Sequence, residues 1–519
     1  MMIKVGVYNV KRFVKWANIV FWVGLVGLFV LPLYLIDSSG EMDFEQILYV
    51  MVSKGDGANY TMFFDYLWFG LPYFIGFGLL FWVGYTLTKK QPKLSFERFG
   101  KKIEKVVTFK PTLKKAVLSA LAAVLALGSF ANYKLNIWGY VSERLNPGSL
   151  YETYYVDPND VSIQFPQEKQ NLIYIVLESM NTNFTSIEID DEIVNLIPNL
   201  ETLANDNINF SSSYGFGGHV HARGLTWTAA SLVGQTSGVP LQIPITSEPT
   251  SFGMNGEYLP GLTTLGEILQ GNGYSNYFFM GSNADFAGRR QYFETHGNYE
   301  IYDLSYMKEI GYIPEDYNVF WGMEDSKMFD YAKDRILEIA SNDEPFNITM
   351  LTVDSHFMDG YTDASCKTEY SVDYANAFAC SDSMVREFVT WIQNQDFYKD
   401  TTVILVGDHN SMNNDFMQRT TSDQYAIYNA FLNVNREVDE TRIKNRDYTV
   451  MDLFPTTLSA LGATIEGDVL GLGVNLFSKE ETLLERLGTD LLDEELAKKS
   501  YYYENHFFKE REPARTGTH

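Results

Sequence analysis

Three long uncharged apolar runs, all within the first 133 positions of a 519-residue chain, constrain this sequence more than any other feature. They are Trp16–Ile36, Tyr66–Thr88 and Ala116–Tyr133. A helix of roughly 17–25 apolar residues crosses the hydrocarbon core of a bilayer, so each run predicts a membrane span. Charge predicts their orientation. Lys4, Lys11, Arg12 and Lys15 precede the first run, and ten basic residues between Lys89 and Lys115 separate the second from the third, opposed only by Glu97 and Glu104. The loop between the first two runs is acidic, with Asp37, Glu41, Asp43, Glu45, Asp56 and Asp65 against Lys54. Positively charged loops stay in the cytoplasm, which puts everything after Tyr133 outside it. The first run is longer than the apolar core of a secretion leader and no small-residue cleavage site follows it, so it reads as an uncleaved anchor.

Residues 1–133 thus read as a three-helix transmembrane anchor and 134–169 as a connector without clear periodicity. Residues 170–480 read as one catalytic domain and 481–519 as a C-terminal segment. The anchor holds 15 Lys/Arg against 8 Asp/Glu; the remainder holds 25 against 58. A domain that acidic repels nucleic acid. The two cysteines, Cys366 and Cys380, lie close together in the outer part. An oxidising compartment permits a bridge between them; two buried thiols or metal ligation are the other readings.

Continuous apolar segments at Asn171–Leu177, Ser275–Met280, Phe346–Thr352 and Thr401–Val406 read as buried strands of a parallel sheet. Helical patterns cover Ile197–Asp206, Thr264–Gln270 and, at greater length, Ser371–Gln395. The alternation predicts an α/β, doubly wound sheet with helices on both faces. Ligands of such sheets lie beyond the carboxyl ends of the strands. Glu178 directly follows the first strand, Asp354 and His356 the third, and Asp408 and His409 the fourth. Two carboxylates and an imidazole converging at one sheet edge suit a divalent metal, Mn²⁺ or Zn²⁺. Thr228 opens an apolar stretch, TAASLV, as the N-terminal residue of a helix. A hydroxyl there is activated by metal coordination and by the helix N-terminus. Taken singly, each of these residues is more readily a cap or an ion-pair partner; the order and spacing give them weight. Thr226 is the rival nucleophile.

The segments NLIYIVLES, PNLETLANDNINF (198–210), LTTLGEILQGNGY, ILVGDHN and MDLFPTTLSALGA resemble the alkaline phosphatase/sulfatase superfamily. Glutamate after the first strand and threonine as nucleophile resemble its lipoteichoic acid synthase group. Within that group, GLTWTAASLVGQTSGVPL (224–241), FAGRRQYFETHG (286–297) and LGLGVNLFS (470–478) look most like the phosphoglycerol transferases of periplasmic glucans. The resemblance covers about 170–480 and implies a sulfatase-like fold on a bacterial inner membrane. It implies that Glu178, Thr228, Asp408 and His409 hold one divalent metal, with Mn²⁺ favoured over Zn²⁺ or Mg²⁺. Thr228 is then the nucleophile, His356 meets the substrate phosphate or leaving group, and Arg289 binds the glycerophosphate. In lipoteichoic acid synthases a tryptophan stands two residues before this arginine; here the residue is Ala287. Arg223, His219 and His221 read as further substrate contacts, with a metal or purely loop role open for the two histidines. The implied reaction transfers glycerol phosphate from phosphatidylglycerol to a glycan through a phosphothreonine-type intermediate. The alternatives are a phosphoethanolamine transferase or lipoteichoic acid-type polymerase on the same fold, and a metal-free membrane scaffold or sensor. A Cys/Ser-x-Pro-x-Arg segment, which a plain sulfatase would carry, is absent from the sequence.

Overall fold

The computed structural model describes residues 19–34, 44–52, 61–90, 93–98, 101–106, 113–243, 257–342, 344–422 and 424–509. The chain forms two compact units: one comprises 1–44 and 58–139, the other 45–57 and 140–519.

In the first unit, helices cover 19–34, Thr61–Lys90 and Leu113–Leu135, one on each apolar run of the sequence. The ends of the first predicted run fall outside the described residues. Val26, Val30 and Tyr34, spaced i, i+4, i+8, form the buried stripe of the first helix, as side chains four apart share a face. Phe29 packs its ring on Tyr73 and Phe77 of the second helix and on Phe130 of the third. Other large apolar side chains face outward, among them Leu28, Leu67, Trp68, Leu79, Trp82 and Leu125. Counting the described residues only, no helix is long and apolar enough to cross a membrane. Within the basic loop, Lys93–Arg98 and Lys101–Val106 pair as an antiparallel hairpin that periodicity did not suggest.

The second unit is built on a seven-stranded sheet: β1 Asn171–Leu177, β2 Gly218–His219, β3 Ser275–Met280, β4 Glu300–Tyr302, β5 Phe346–Leu351, β6 Thr401–Gly407 and β7 Ile427–Leu432. Its spatial order is β2-β7-β6-β1-β5-β3-β4. The strands from β6 to β4 run parallel, while β7 and β2 are antiparallel additions at one edge. The apolar run of β1 is explained by cover on both faces. Leu172, Tyr174 and Val176 enter one core, and Ile173, Ile175 and Leu177 the other. Each such side chain contributes roughly 1.5–3 kcal/mol on burial. One core takes in helix α2, Thr228–Ser237, and α5, Leu453–Ala460; the other takes in α1, Pro198–Asp206, α3, Asp325–Ala340, and α4, Asp373–Gln393. This is the doubly wound α/β arrangement that the sequence predicts. Gly218 is required at the edge: a Cβ there would lie 1.7 Å from the Ile427 carbonyl oxygen.

The predicted strands agree with β1, β3, β5 and β6 to within a residue. The expected connector instead carries the helices Ile137–Leu145 and Leu150–Tyr154. The C-terminal segment, polar in sequence, is helical at Tyr501–His506 and buries Tyr503 and Phe507 in the core. Cys366 and Cys380 form a disulfide, which joins the stretch after His356 to α4.

Candidate active site

The carboxyl ends of β1 and β6 are adjacent because those strands pair in register, Leu177 beside Gly407. Glu178 and Asp408 therefore come out side by side. Gly407 permits this, since a Cβ there would lie 2.2 Å from the Met180 carbonyl oxygen. Hydrogen bonds from neighbouring elements lock the strand ends. The Glu178 backbone N–H donates to Thr352 Oγ1 at 2.9 Å, and Ser355 Oγ donates to the Glu178 carbonyl at 2.7 Å. Ser231 Oγ, one turn into α2, donates to the Asp408 carbonyl at 2.7 Å. That last bond fixes the start of α2 against the end of β6 and so delivers Thr228.

Thr228 Oγ1 donates to Glu178 Oε2 at 3.2 Å and lies 3.3 Å from His409 Nε2. His409 Nε2 is 3.5 Å from Glu178 Oε1 and 3.3 Å from Asp408 Oδ2. The tautomer follows from the other ring nitrogen. His409 Nδ1 lies 2.7 Å from the Asn410 carbonyl, which only accepts, so Nδ1 carries the proton and Nε2 presents a lone pair. Thr228, rather than Thr226, supplies the hydroxyl of this cluster.

The cluster fits a divalent cation. Glu178, Asp408 and His409 each offer a ligand atom, all within 4.8 Å of one another. All three are buried, at 2% exposure or less. Asp408 Oδ1 accepts from the Ser179 and His409 backbone amides, while Oδ2 is buried with no hydrogen-bond partner among the described residues. An unpartnered buried carboxylate oxygen is costly unless a cation meets it. Electrostatics agree. Burial and the Glu178 charge push Asp408 up to about 7. Burial also works to raise Glu178, but His356, His409 and the hydroxyls of Ser179 and Thr228 outweigh it and hold that carboxyl below its ordinary value. Carboxylate oxygens, a hydroxyl and an imidazole form a hard-to-borderline donor set.

Around this centre the other predicted residues are distributed unevenly. His356 follows β5, with Nδ1 2.7 Å from the Phe357 carbonyl and its ring 4.5 Å from that of Trp321. Burial lowers its pKa, with the Glu178 charge opposing. Arg289 heads a short helix, Arg289–Thr295; its Nε donates to the Phe286 carbonyl and its Nη2 to the Asn283 carbonyl, both at 3.0 Å. Burial pulls it down to about 10, against Tyr49, Glu178 and Asp303, so it is cationic at neutral pH. His221 Nε2 accepts from the Asn410 backbone amide at 2.8 Å, which places it behind His409. His219 is 1% exposed and neither ring nitrogen has a hydrogen-bond partner among the described residues. Burial, then His221, lowers its pKa to about 3. Arg223 pairs with Glu143 at 2.8 Å, so its guanidinium is already engaged.

Asn410 and Asp325 escaped the sequence reading, whereas Asp354 was placed after the third predicted strand. Asn410 holds His409 through its carbonyl and receives a 2.5 Å bond from Asn181 on its side chain. Its place directly after the Asp-His pair was the only available signal. Asp325 accepts from the Val353 and Asp354 amides, and Asp354 accepts in return from the Asp325 amide at 3.0 Å, a reciprocal clamp on the turn leading to His356. Burial pushes both carboxyls up.

The α/β sheet thus carries, at its carboxyl edge, a hydroxyl beside two carboxylates and an imidazole. The sulfatase family model matches residues 170–463. The chain belongs to that family. Phosphoglycerol transferase I of Salmonella choleraesuis is 29% identical over 369 residues, 69% of this chain and 46% of that protein. The same enzyme of Salmonella typhimurium is 29% identical over 364 residues, 68% of this chain and 45% of that one. The chain thus spans about half the length of the curated relatives it matches. The lipoteichoic acid synthase LtaP of Listeria monocytogenes superposes with a TM-score of 0.49 at 18% identity, covering 68% of this chain and 95% of that one.

Proposed function

We propose that the chain is a membrane-anchored, metal-dependent phosphoglycerol transferase. On this reading it moves glycerol phosphate from phosphatidylglycerol to a glycan hydroxyl on the outer side of a bacterial cytoplasmic membrane. The observation that carries the reading is the Thr228 hydroxyl, set at a helix N-terminus within 3.3 Å of both Glu178 and His409. The relatives named phosphoglycerol transferase I supply the headgroup. The anchor is supported by the three uncharged runs, by the basic loop between the second and third, and by the apolar side chains that the three helices turn outward.

Glu178, Thr228, Asp408 and His409 would hold the metal, Mn²⁺ by preference. When bound, it supplies positive charge that favours the alkoxide form of threonine and offsets charge gathering on the phosphoryl oxygens. The rest falls to the chain's own residues. Glu178 Oε2 already accepts the hydrogen bond of the Thr228 hydroxyl. Thr228, its hydroxyl proton released to solvent by way of Glu178 Oε2, attacks phosphorus through Oγ; the bond to the diacylglycerol oxygen breaks, and His356, held protonated by the anionic phosphate against the lowering effect of burial, gives that oxygen its proton. The phosphoglyceryl group is then esterified to Thr228. In the second half His356, now neutral, takes the proton of an acceptor hydroxyl as that oxygen attacks phosphorus and Thr228 leaves. Arg289 pairs with the anionic headgroup. Arg223, His219 and His221 stay as flanking residues of this proposal, with His221 acting through Asn410.

The test supplies headgroup-labelled phosphatidylglycerol or phosphatidylethanolamine to the purified full-length chain with candidate glycans, and identifies products by mass spectrometry. The expected products are diacylglycerol and a glycan heavier by one phosphoglycerol. Transfer from phosphatidylethanolamine alone, or a purified protein without bound metal, would overturn the reading.

A further inference from the structure

The short helix Phe44–Val52 lies far outside the segment that matches the sulfatase family, yet from Glu45 onward it packs as part of the second unit. In sequence it belongs to the acidic loop between the first two apolar runs. Glu45 is buried in an ion pair with Arg144 and also accepts from the Ile243 amide at 2.9 Å. One turn on, Tyr49 is fully buried. Its ring centroid lies 6.1 Å from that of Trp227, the residue before Thr228. Its hydroxyl donates to the carbonyl of Ala287, two residues before Arg289. A carbonyl has no proton, so the direction of that bond is fixed. The 2.7 Å contact between Tyr49 Oη and Tyr258 Oη must then run from Tyr258 to Tyr49. Tyr258 is held in turn: His296 Nε2 lies 2.7 Å from its backbone carbonyl.

The turn that receives Tyr49 is unusual. Ala287 has φ 57° and ψ 28°, and Gly288 follows with φ 67°, two left-handed residues in succession. Alanine adopts that region rarely, so the turn gains from an external hold. The carbonyls of the same turn aim the Arg289 guanidinium, through Phe286 and Asn283.

We infer that Tyr49 is a positioning residue for the phosphoglycerol-binding side of the site. Its hydroxyl holds the Phe286–Gly288 turn that orients Arg289, and its ring backs Trp227 beside Thr228. The loop between the first two apolar runs thereby completes the site of the catalytic unit. The inference rests on the reading of Arg289 as the residue that meets the headgroup.

Tyr49→Phe in the full-length chain removes one hydroxyl and keeps the ring. With phosphatidylglycerol in mixed micelles as donor, KM rises about tenfold while kcat changes less than about twofold. The dissociation constant for free glycerol phosphate rises by a similar factor. Arg289→Ala gives the same pattern more strongly, and the double variant is no weaker than Arg289→Ala alone, because one residue acts through the other. Tyr258→Phe, which leaves the Ala287 contact in place, shifts KM less than Tyr49→Phe. An unchanged KM in Tyr49→Phe, a loss confined to kcat, or effects that add to those of Arg289→Ala would overturn the inference. If the wild-type chain binds glycerol phosphate but releases no diacylglycerol from phosphatidylglycerol, the donor reading fails and the dissociation constants still decide the role of Tyr49. Absence of glycerol phosphate binding overturns both.

Discussion

Glu178, Asp408 and His409, the proposed metal side, stand at the ends of two paired parallel strands, β1 and β6. Arg289 and His356, the proposed donor side, follow turns, one ended by left-handed residues and held by Tyr49, the other clamped by Asp325 and Asp354. The metal side takes its placement from the sheet register, and Thr352, Ser355, Ser231 and Asn410 then lock it. The donor side borrows its geometry from contacts distant in sequence. A site built this way can keep its chemistry constant while substrate preference changes in the turns.

The largest expected effect falls on the metal side. Thr228→Ala lowers phosphoglycerol transfer by at least about a thousandfold, since a nucleophile has no substitute, and the covalent adduct at residue 228 disappears from mass spectra. Full activity in this variant would end the two-step reading. Asp408→Asn comes next: it replaces the orphan oxygen with an amide and lowers activity at least about a hundredfold. Elemental analysis of that variant shows loss of the divalent metal; undiminished metal content would show that Asp408 is not a ligand.

A structural effect on the donor side is third. Replacing Cys366 and Cys380 together by serine frees the stretch after His356 from α4. Closing a loop of this size is worth about 3 kcal/mol, read as a lower urea midpoint. A midpoint equal to wild type would show that the loop is held without the bridge. The smallest effect concerns His219, on the edge strand β2. Its folded pKa of about 3 lies below the ordinary value of 6.5. Only the unfolded chain takes up that proton between the two values, so stability is full above pH 6.5 and falls as the pH drops toward 3. The slope is about 1.4 kcal/mol per pH unit for one group. His219→Phe should flatten the loss between pH 7 and 5.5 by about 1 kcal/mol in denaturant titrations; an unchanged slope would mean that His219 finds a proton-accepting partner.

The metal side was readable in the sequence because a buried parallel strand announces itself as an apolar run and the next residue must stand at the sheet edge. Glu178, Asp408 and His409 each follow such a run, and Thr228 is favoured over Thr226 as the head of the TAASLV run, where α2 does start. Arg223 has a partner that local sequence does not show: Glu143, eighty residues earlier, pairs with its guanidinium. The antiparallel strand β7 also went unread, since IYNAFL carries neither an alternating pattern nor a turn signal that sets it apart.

By itself the sequence determined the three apolar runs and the polarity of their loops, the doubly wound sheet, and the metal-side residues in their order, since hydrophobic periodicity and strand ends are local properties. Only the tertiary structure decided which hydroxyl meets Glu178 and His409, that Cys366 and Cys380 pair, and that Tyr49 reaches across more than two hundred residues to the Ala287 carbonyl. Those contacts depend on the packing of segments that carry no mark of one another in their local composition.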